Sequence, residues 1–294
     1  GLKQGIRALS GLANVVMFLP QDMVLVEGAP RERRRFLDAT ISQVDSNYAN
    51  AVREYAKVIA QRNALLKNMR DRTDAADQLE YWDESLCVQG ATIIARRARA
   101  LEEIEHYASV LHKELTSDNG HLALVYHPSH DPAEQAGEQL ELGLDVGQRR
   151  AKMPESDLAT GMRERLHQLR REEVHRGMTL VGPHRDDFRF VLSGVDLGIF
   201  GSRGQGRTSV LALKLAEMAW MRDRSGEWPL LLLDEVLAEL DPQRRYELLQ
   251  RITTAEQVLL TTADLDMVAT GFQRHARVWR VTSGTVQPET GSHI

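Results

Sequence analysis

The stretch PLLLLDEVLAELD (residues 229–241) indicates the architecture of the chain. Its four consecutive leucines are typical of a strand that is buried on both faces in a parallel sheet. Asp234 and Glu235 follow at once, at the carboxyl end of that strand, where α/β proteins bind ligands. An Asp there can hold Mg²⁺, and the adjacent Glu can polarise an attacking water. A strand whose acidic end merely caps the next helix is the alternative at this point.

The residues on either side extend this pattern. Asp241 and Pro242 suit a helix start, because Asp caps the amino end and Pro fits the first helical position. The strand QVLLTT (257–262) and the hairpin VWRVTSGTV (278–286) follow, and an earlier strand is expected at residues 15–18. Strands that alternate with helices predict an α/β fold.

Before the leucine strand, FGSRGQGRTSVLALKLAEMAW (200–220) places a flexible polar loop at the start of a helix. Ser202, Gly204 and Gln205 form the pattern S-x-G-Q there. Backbone N–H groups at a helix start are unpaired and the helix dipole favours an anion, so the loop suits a terminal phosphate. A glycine-rich turn with Ser202 as N-cap is the alternative interpretation.

The middle of the chain predicts a helical insertion. Apolar residues recur at helical spacing over residues 48–66 and 79–115, and the polar linker MRDRTDAAD (69–77) joins the two segments. Two long helices with a short connection are expected to form an antiparallel hairpin, the second about 50 Å long with a kink allowed at Gly90. The flanking elements are a helix from residue 30, a strand at 122–127, a polar stretch at 128–154 and a charged helix at 155–174.

The predicted organisation is one α/β lobe that a helical lobe interrupts. Residues 1–28 and 177–294 would form the α/β lobe, and residues 29–176 would form the helical lobe. The returning α/β segment opens with FRFVL (188–192) and VDLGIF (195–200), which predict a β-hairpin.

Composition restricts the classes of function. The 294 residues carry a formal net charge of −5, so any nucleic-acid contact must come from a local basic patch. Aromatic residues make up only 5%, which argues against broad base-stacking platforms. Cys87 is the one cysteine, and no Cys/His cluster has metal-site spacing, which fits a cytoplasmic protein. No apolar run approaches the length of a membrane span, so no membrane partner is expected.

Taken together, the motifs resemble a known family. S-x-G-Q, a helix, an apolar strand ending in Asp-Glu and then A-E-L-D follow the order of the signature motif, Walker B and D-loop of ABC-type ATPases. With FLPQDMVLVEGAPRERRRFLD (18–38) and TLVGPHRDDF (179–188), they resemble the RecF family in the SMC-like branch of these ATPases. The combination is far more specific than any single motif, and it spans nearly the whole chain.

The resemblance implies an ABC-type ATPase head, with a mixed sheet and helices in lobe I and a long helical hairpin in an inserted helical lobe II. It implies ATP and Mg²⁺ as cofactors and an ATP-dependent homodimer, in which two heads meet around two ATP molecules. The signature loop, Ser202, Gly204 and Gln205, would contact the γ-phosphate held by the other protomer. Asp234 would serve Mg²⁺, and Glu235 would be the catalytic residue that orients the hydrolytic water.

Four further positions take roles from the same resemblance. Asp241 would lie in the D-loop at the dimer seam. Gln21 would occupy the Q-loop, although a solvated loop glutamine fits the sequence equally well. Thr262 or Asp264 would contact the water or phosphate at the switch position, where many ABC-type ATPases have His.

One family element does not occur in the printed sequence. It contains no G-x-x-x-x-G-K-[ST], the phosphate-cradling Walker A loop that the family carries near its start. We expect an N-terminal portion to be missing and the chain as written to be a poor ATPase. The intact family is a weak DNA-dependent ATPase.

Two arginine clusters are candidates for DNA contact. They are Arg31, Arg33, Arg34 and Arg35 near the lobe junction, and Arg96, Arg97 and Arg99 on the long helix. Solvated helix faces are the alternative for both clusters. The motif HRDD (184–187) is expected to form a buried charge network that supports the sheet.

The function implied by the resemblance is an ATP-dependent clamp on DNA. RecF-like proteins act at junctions of single- and double-stranded DNA in gap repair and the SOS response, and they promote RecA loading with RecO and RecR. Slow hydrolysis would serve release. Two alternatives stay open: a non-catalytic helical interaction module with a degenerate ATPase core, and another SMC-like head, whose insertion would be a much longer coiled coil.

Overall fold

The computed structural model describes residues 13–69, 76–116, 120–129, 152–268 and 270–288. The strands are β1 Val15–Phe18, β2 Leu122–His127, β3 Asp187–Leu192, β4 Val195–Asp196, β5 Leu230–Asp234, β6 Val258–Thr261, β7 Trp279–Thr282 and β8 Thr285–Pro288. The helices are α1 Val24–Glu27, α2 Pro30–Val44, α3 Ser46–Asn68, α4 Ala76–Thr116, α5 Glu155–Arg176, α6 Leu197–Phe200, α7 Arg203–Ser225, α8 Pro242–Ile252 and α9 Thr270–Gln273. Within these ranges, no helix combines the length and the apolar character that crossing a membrane requires.

Residue contacts divide the chain into two compact units. The first unit is Gly1–Asp22 with Met221–Ile294, and the second is Met23–Trp220. This division follows contacts and does not test the lobe boundaries suggested by the sequence, which stay a prediction. Both units mix helices and strands.

The first unit contains a parallel sheet in the order β1-β5-β6. On one face of the central strand, Leu231 and Leu233 are fully buried. On the other face, Met17, Leu232 and Leu259 lie in one row across the sheet, and Met17 and Leu259 are 44% and 53% exposed. The expected burial of β5 on both faces is therefore met fully on one face only within the described residues, since Leu230 and Leu232 on the other face are half-buried.

Both predicted hairpins can be compared with the structure. The one at residues 278–286 is confirmed as β7 and β8, which pair antiparallel. The one at 188–200 is confirmed only as far as β4, which pairs with β3 over two residues. The prediction of a strand is wrong for Leu197–Phe200, which is helical because the Asp196 carboxylate accepts a hydrogen bond from the Gly198 N–H (2.8 Å) and caps that turn.

The helical hairpin predicted for the second unit is confirmed as α3 and α4. The two helices run antiparallel, since Arg62 meets Asp83 at one level and Tyr48 meets Arg97 at another. Their contact covers most of the length of α3, so apolar positions at helical spacing face each other as the sequence indicates.

Helix α4 is longer than expected and is not interrupted at Gly90. Its 41 residues correspond to about 60 Å at 1.5 Å per residue. A Cβ at Gly90 would lie 2.8 Å from the Sδ of Met162 on α5. The glycine therefore serves the close approach of α4 and α5 and does not break the helix.

Arg62 is the centre of a buried charge network in the hairpin. Its side chain is fully buried and donates to Asp83 (2.6 Å), Glu173 (2.6 Å) and Thr179 (2.8 Å). Burial alone would lower the pKa of Arg62, but the hydrogen bond and charge of Glu173, together with the charge of Asp83, raise it overall. The charged guanidinium therefore ties α3, α4 and α5 together at one point.

The motif HRDD (184–187) forms a second network, and its contacts support the structural interpretation made from the sequence. Asp187 accepts two hydrogen bonds from the guanidinium of Arg33, at 2.7 and 2.9 Å. Asp186 accepts a hydrogen bond from the hydroxyl of Tyr126. These bonds connect α2 and β2 to the start of β3, so the motif holds the antiparallel sheet β2-β3-β4 against the helices.

His184 of the same motif is held in its neutral form. The Tyr55 hydroxyl lies 2.7 Å from its Nδ1, and the carbonyl oxygen of Thr179 lies 3.3 Å from its Nε2, so the proton belongs on Nε2. Burial lowers the pKa of His184 from 6.5 to about 4, because the charged imidazolium would lose its hydration there.

We expect this neutral histidine to make stability depend on pH. Because the folded pKa lies below the unfolded one, the contribution of His184 is complete above pH 6.5 and is lost as the pH falls toward 4. His184→Gln should remove that term, so the difference in unfolding free energy between the two proteins should change by about 2 kcal/mol from pH 7.5 to pH 5. Urea unfolding at both pH values measures it, and parallel pH profiles would contradict it.

Candidate functional site

Polar residues with predicted roles collect at one edge of the parallel sheet. Because β1, β5 and β6 run parallel, their carboxyl ends meet at the same edge. Gln21 follows β1, Asp234 and Glu235 end and follow β5, and Thr262 follows β6. The first unit therefore brings together the residues to which the resemblance assigns the Q-loop, Walker B and switch roles. Asp234 is exposed there and Glu235 is half-buried.

Thr261 lies at the same edge, although the sequence patterns do not single it out. It pairs across the sheet with Asp234, and its Oγ1 donates to Asp234 Oδ1 at 2.7 Å. The Glu235 N–H lies 3.2 Å from that Oγ1 and 3.3 Å from the Thr261 carbonyl oxygen. The signal that could have found it is a hydroxyl residue at the end of the strand next to the acid-tipped one.

Glu235 has an unusual backbone conformation. Its φ of 51° and ψ of 14° fall in the left-handed region, which costs a residue with a side chain roughly 1–2 kcal/mol. The turn Val236–Glu239 follows directly. The chain therefore leaves the sheet at Glu235, immediately after Asp234.

Asp241 starts α8 as the sequence predicts. Its carboxylate accepts hydrogen bonds from the Arg244 N–H (2.9 Å) and the Arg244 guanidinium, and the first of these lowers the pKa of Asp241. Arg245 donates to the carbonyl oxygens of Leu237 (3.2 Å) and Leu240 (3.1 Å), which fixes the loop between β5 and α8. Asp241 is exposed even though it caps α8, so its capping role is compatible with the predicted position at a dimer seam.

The switch residues form a turn of their own after β6. Thr262 Oγ1 donates to the carbonyl oxygen of Asp264 (2.9 Å) and accepts from the Asp264 N–H (3.2 Å). The Asp264 carboxylate accepts from the Asp266 N–H (2.9 Å) and caps the next turn. Gln21 lies exposed in the turn Pro20–Met23. These bonds fix the backbone of the switch turn and leave the Asp264 side chain at the surface.

The S-x-G-Q loop lies in the second unit and forms a reciprocal capping box at the start of α7. Ser202 Oγ accepts from the Gln205 N–H (3.2 Å), and Gln205 Oε1 accepts from the Ser202 N–H (2.9 Å). Ser202, Gly204 and Gln205 are all exposed, and a Cβ at Gly204 would meet nothing closer than Ser202 Oγ at 3.9 Å. Because the cap uses two oxygens, the Ser202 O–H and the Gln205 NH₂ remain available as donors to an anion.

The rest of α7 anchors this loop. A Cβ at Gly206 would lie 2.9 Å from the Met23 Cε, so the first turn packs closely on that side chain. From Thr208 to Met221 the helix is almost entirely buried. The exposed loop therefore stands on a rigid helix, which suits a site that has to hold a ligand in one geometry.

The structure corrects two of the arginine assignments. Arg33 is 5% exposed, forms the ion pair with Asp187 and donates to the Gly28 carbonyl oxygen at 2.8 Å. Arg97 is 3% exposed and donates to Asp38 at 2.7 Å. Both guanidiniums are committed to buried partners, so neither can meet a DNA phosphate.

The remaining arginines of the first cluster differ in exposure. Arg34 donates to the Asp186 carbonyl oxygen (2.7 Å), and burial, with the charge of Arg97, lowers its pKa. Arg31 and Arg35 are exposed on α2. These two are the members of the cluster whose charges face solvent.

The donor set at the sheet edge fits Mg²⁺ only as a partner of phosphate groups. Within the described ranges, no group of three or more His, Cys, Asp or Glu side chains could hold a metal ion. At the end of β5, the edge offers the exposed carboxylate of Asp234 beside the hydroxyl of Thr261. Mg²⁺ is usually bound through one or two carboxylates together with substrate phosphates and waters, so this set fits a nucleotide-bound ion.

Curated relatives are similar to this chain over nearly its whole length. The chain is 41% identical over 287 residues to the DNA replication and repair protein RecF of Herpetosiphon aurantiacus, covering 95% of this chain and 67% of the relative. It is 40% identical over 286 residues to the protein of the same name from Geobacillus kaustophilus, covering 97% and 72%. A scan against protein-family models finds no match.

Two solved structures are similar in fold. One, described as the recombination mediator protein RecF-ATPrS in the RecFOR pathway, has a TM-score of 0.82 and 29% identity, covering 97% of this chain and 70% of that one. The other, described as RecF-ATP in the same pathway, has a TM-score of 0.80 and 29% identity. This chain therefore belongs to the RecF family of DNA replication and repair proteins and has the fold of an ABC-type ATPase head with a helical insertion.

Proposed function

We propose that this chain works as an ATP-switched DNA clamp of recombinational repair. The observation that carries the proposal is the exposed capping box of α7, whose side-chain donors on Ser202 and Gln205 remain available to an anion while their oxygens hold the helix start. The solved relatives described as RecF-ATPrS and RecF-ATP support ATP as the source of that anion. In this proposal the anion is the γ-phosphate of a nucleotide that a second copy holds.

The acidic edge of the first unit supplies the chemistry. Asp234 would hold Mg²⁺, which neutralises phosphate charge when bound. Glu235 would orient and polarise the attacking water, and its fixed backbone limits where that water can lie. Asp241 would meet the second copy, with Gln21 and the turn of Thr262 and Asp264 sensing the nucleotide. Hydrolysis then separates the copies and releases DNA.

The proposed place of action is a gap in duplex DNA. Family membership supports a role in DNA replication and repair, and the place of the solved relatives in the RecFOR pathway supports RecO and RecR as partners. We propose that the clamp binds junctions of single- and double-stranded DNA and promotes RecA loading there.

The DNA-facing arginines in this proposal are Arg31 and Arg35. We expect the double change Arg31→Glu, Arg35→Glu to weaken DNA binding by about 10-fold at 0.1 M salt and to reduce the salt dependence of the affinity, since each phosphate contact contributes to that slope. Fluorescence anisotropy over a range of salt concentrations measures both. The matched control is Arg53→Glu on α3, an exposed arginine outside the cluster; equal losses in the two variants would contradict the assignment.

The proposed function is tested on the full-length protein with a gapped duplex. Light scattering should show a dimer with ATP and Mg²⁺ and a monomer without them. Anisotropy should show that ATP raises the affinity for DNA. A protein that stays monomeric in ATP and binds DNA equally with and without nucleotide would be a non-catalytic interaction module, and the clamp would be wrong.

A further inference from the structure

We propose that Thr261 is a positioning residue. Its single hydroxyl group orients the side chain of Asp234 and holds the backbone of Glu235 for nucleotide chemistry. The inference rests on the proposed function, because it gives the two acids their roles. It adds a residue that belongs neither to the leucine strand nor to the switch turn.

The hydroxyl of Thr261 is used in two directions. A threonine hydroxyl has one proton to donate and lone pairs that accept. The proton goes to Asp234 Oδ1 (2.7 Å), and the hydroxyl oxygen of Thr261 accepts from the Glu235 N–H at 3.2 Å. One atom on β6 therefore connects the side chain of the first acid to the backbone of the second.

The first consequence concerns the orientation of Asp234. Its Oδ1 accepts the hydrogen bond from Thr261, so Oδ2 is the carboxylate oxygen that a bound cation would not share with Thr261. Partners that hydrogen-bond to metal-ligating carboxylates fix their rotation, and losing such a partner typically costs 10–100-fold in metal affinity or activity. Asp234 is exposed, so packing alone does not hold it.

The second consequence concerns the backbone of Glu235. This residue sits at a φ of 51°, a conformation that persists only where the surroundings enforce it. The described bonds of its N–H both end on Thr261, at Oγ1 and at the carbonyl oxygen. The strand β6 therefore helps to fix the backbone at Glu235, where the chain leaves the sheet. A shift of the adjacent switch turn would move Thr261, and through Thr261 it would displace both Asp234 and Glu235.

The test compares Thr261→Val, which keeps the shape and removes the hydroxyl, with Thr261→Ser, which keeps the hydroxyl. The control is Thr282→Val, which changes an exposed threonine on the hairpin of the same unit. The first readout needs no nucleotide: hydrogen exchange of the Glu235 amide should be several-fold faster in Thr261→Val and close to normal in Thr261→Ser. The second is Mn²⁺ affinity of the full-length protein with ATPγS, measured by electron paramagnetic resonance.

We expect Thr261→Val to weaken Mn²⁺ binding by about 10-fold or more, and Thr261→Ser and Thr282→Val to stay within about 3-fold of the unchanged protein. A lower melting temperature with unchanged Mn²⁺ affinity would reduce Thr261 to a structural residue and overturn the inference. Unchanged amide exchange in Thr261→Val would also overturn it. If the unchanged protein takes up no Mn²⁺ with ATPγS, the proposed function itself fails, and the role of Thr261 fails with it.

Discussion

Replacing Ser202 by Arg is expected to abolish ATP-dependent dimerisation while each protomer still binds nucleotide. A phosphate has to come within about 3 Å of the N–H and hydroxyl donors at the start of α7, and the long guanidinium side chain would fill that space. The substitution also removes the acceptor of the Gln205 N–H, at a cost of about 1 kcal/mol to the helix start. We expect the dimer to weaken by at least about 100-fold, or about 2.7 kcal/mol.

Sedimentation of the full-length protein with ATPγS measures this dimer, and a fluorescent nucleotide measures binding by the monomer. Ser202→Thr is the matched control, because it keeps the hydroxyl that caps the helix, and its dimer should stay within about 3-fold of the unchanged one. If Ser202→Arg loses nucleotide binding by the monomer as well, the loop belongs to the protomer's own nucleotide site and not to its partner's.

Replacing Arg62 by Met is expected to have the largest effect on stability. The change removes the guanidinium that pairs with the fully buried carboxylate of Glu173, and it leaves Asp83 with its second ion pair, to Arg170. Removing one partner of a buried ion pair typically costs about 3–5 kcal/mol, since the remaining charge is uncompensated. Because the network joins α3, α4 and α5, we expect the loss to appear as a lower urea midpoint for the whole helical hairpin.

The matched control is Arg163→Met on α5, which breaks an ion pair to Glu84 in which both side chains are about half exposed. That change should cost less than about 1 kcal/mol. Urea unfolding followed by circular dichroism compares the two variants at neutral pH. Similar losses in both would mean that the buried network contributes no more than a surface pair.

Sequence patterns were sufficient for most of the fold because they report local preferences. Helical spacing found the hairpin of α3 and α4, and the cap-and-proline pair at Asp241 found the start of α8. The patterns were less informative at two places. Helix α4 continues through Gly90, where Met162 packs closely, and Leu197–Phe200 is a helical turn that the local cap at Asp196 starts.

The candidate site shows the same division. The order of the signature, Walker B and D-loop motifs identified the family, and the topology brought the strand ends to one edge. Charge alone did not distinguish Arg31 from Arg33, which differ in burial and not in residue type. The patterns did not single out Thr261, because the role proposed for it depends on the register that places it opposite Asp234.

Photolabelling tests most directly whether the loop at the start of α7 grips the nucleotide of a second copy. Full-length protein of normal isotope content is loaded with an ATP analogue that carries a photoreactive group on its γ-phosphate. It is then mixed with isotope-labelled protein that holds no nucleotide. The mixture is illuminated before the analogue can exchange between the two proteins. Our proposal predicts that the label lies on residues 202–205 of the isotope-labelled copy. Label confined to the copy that was loaded, at concentrations where dimers form, would contradict it.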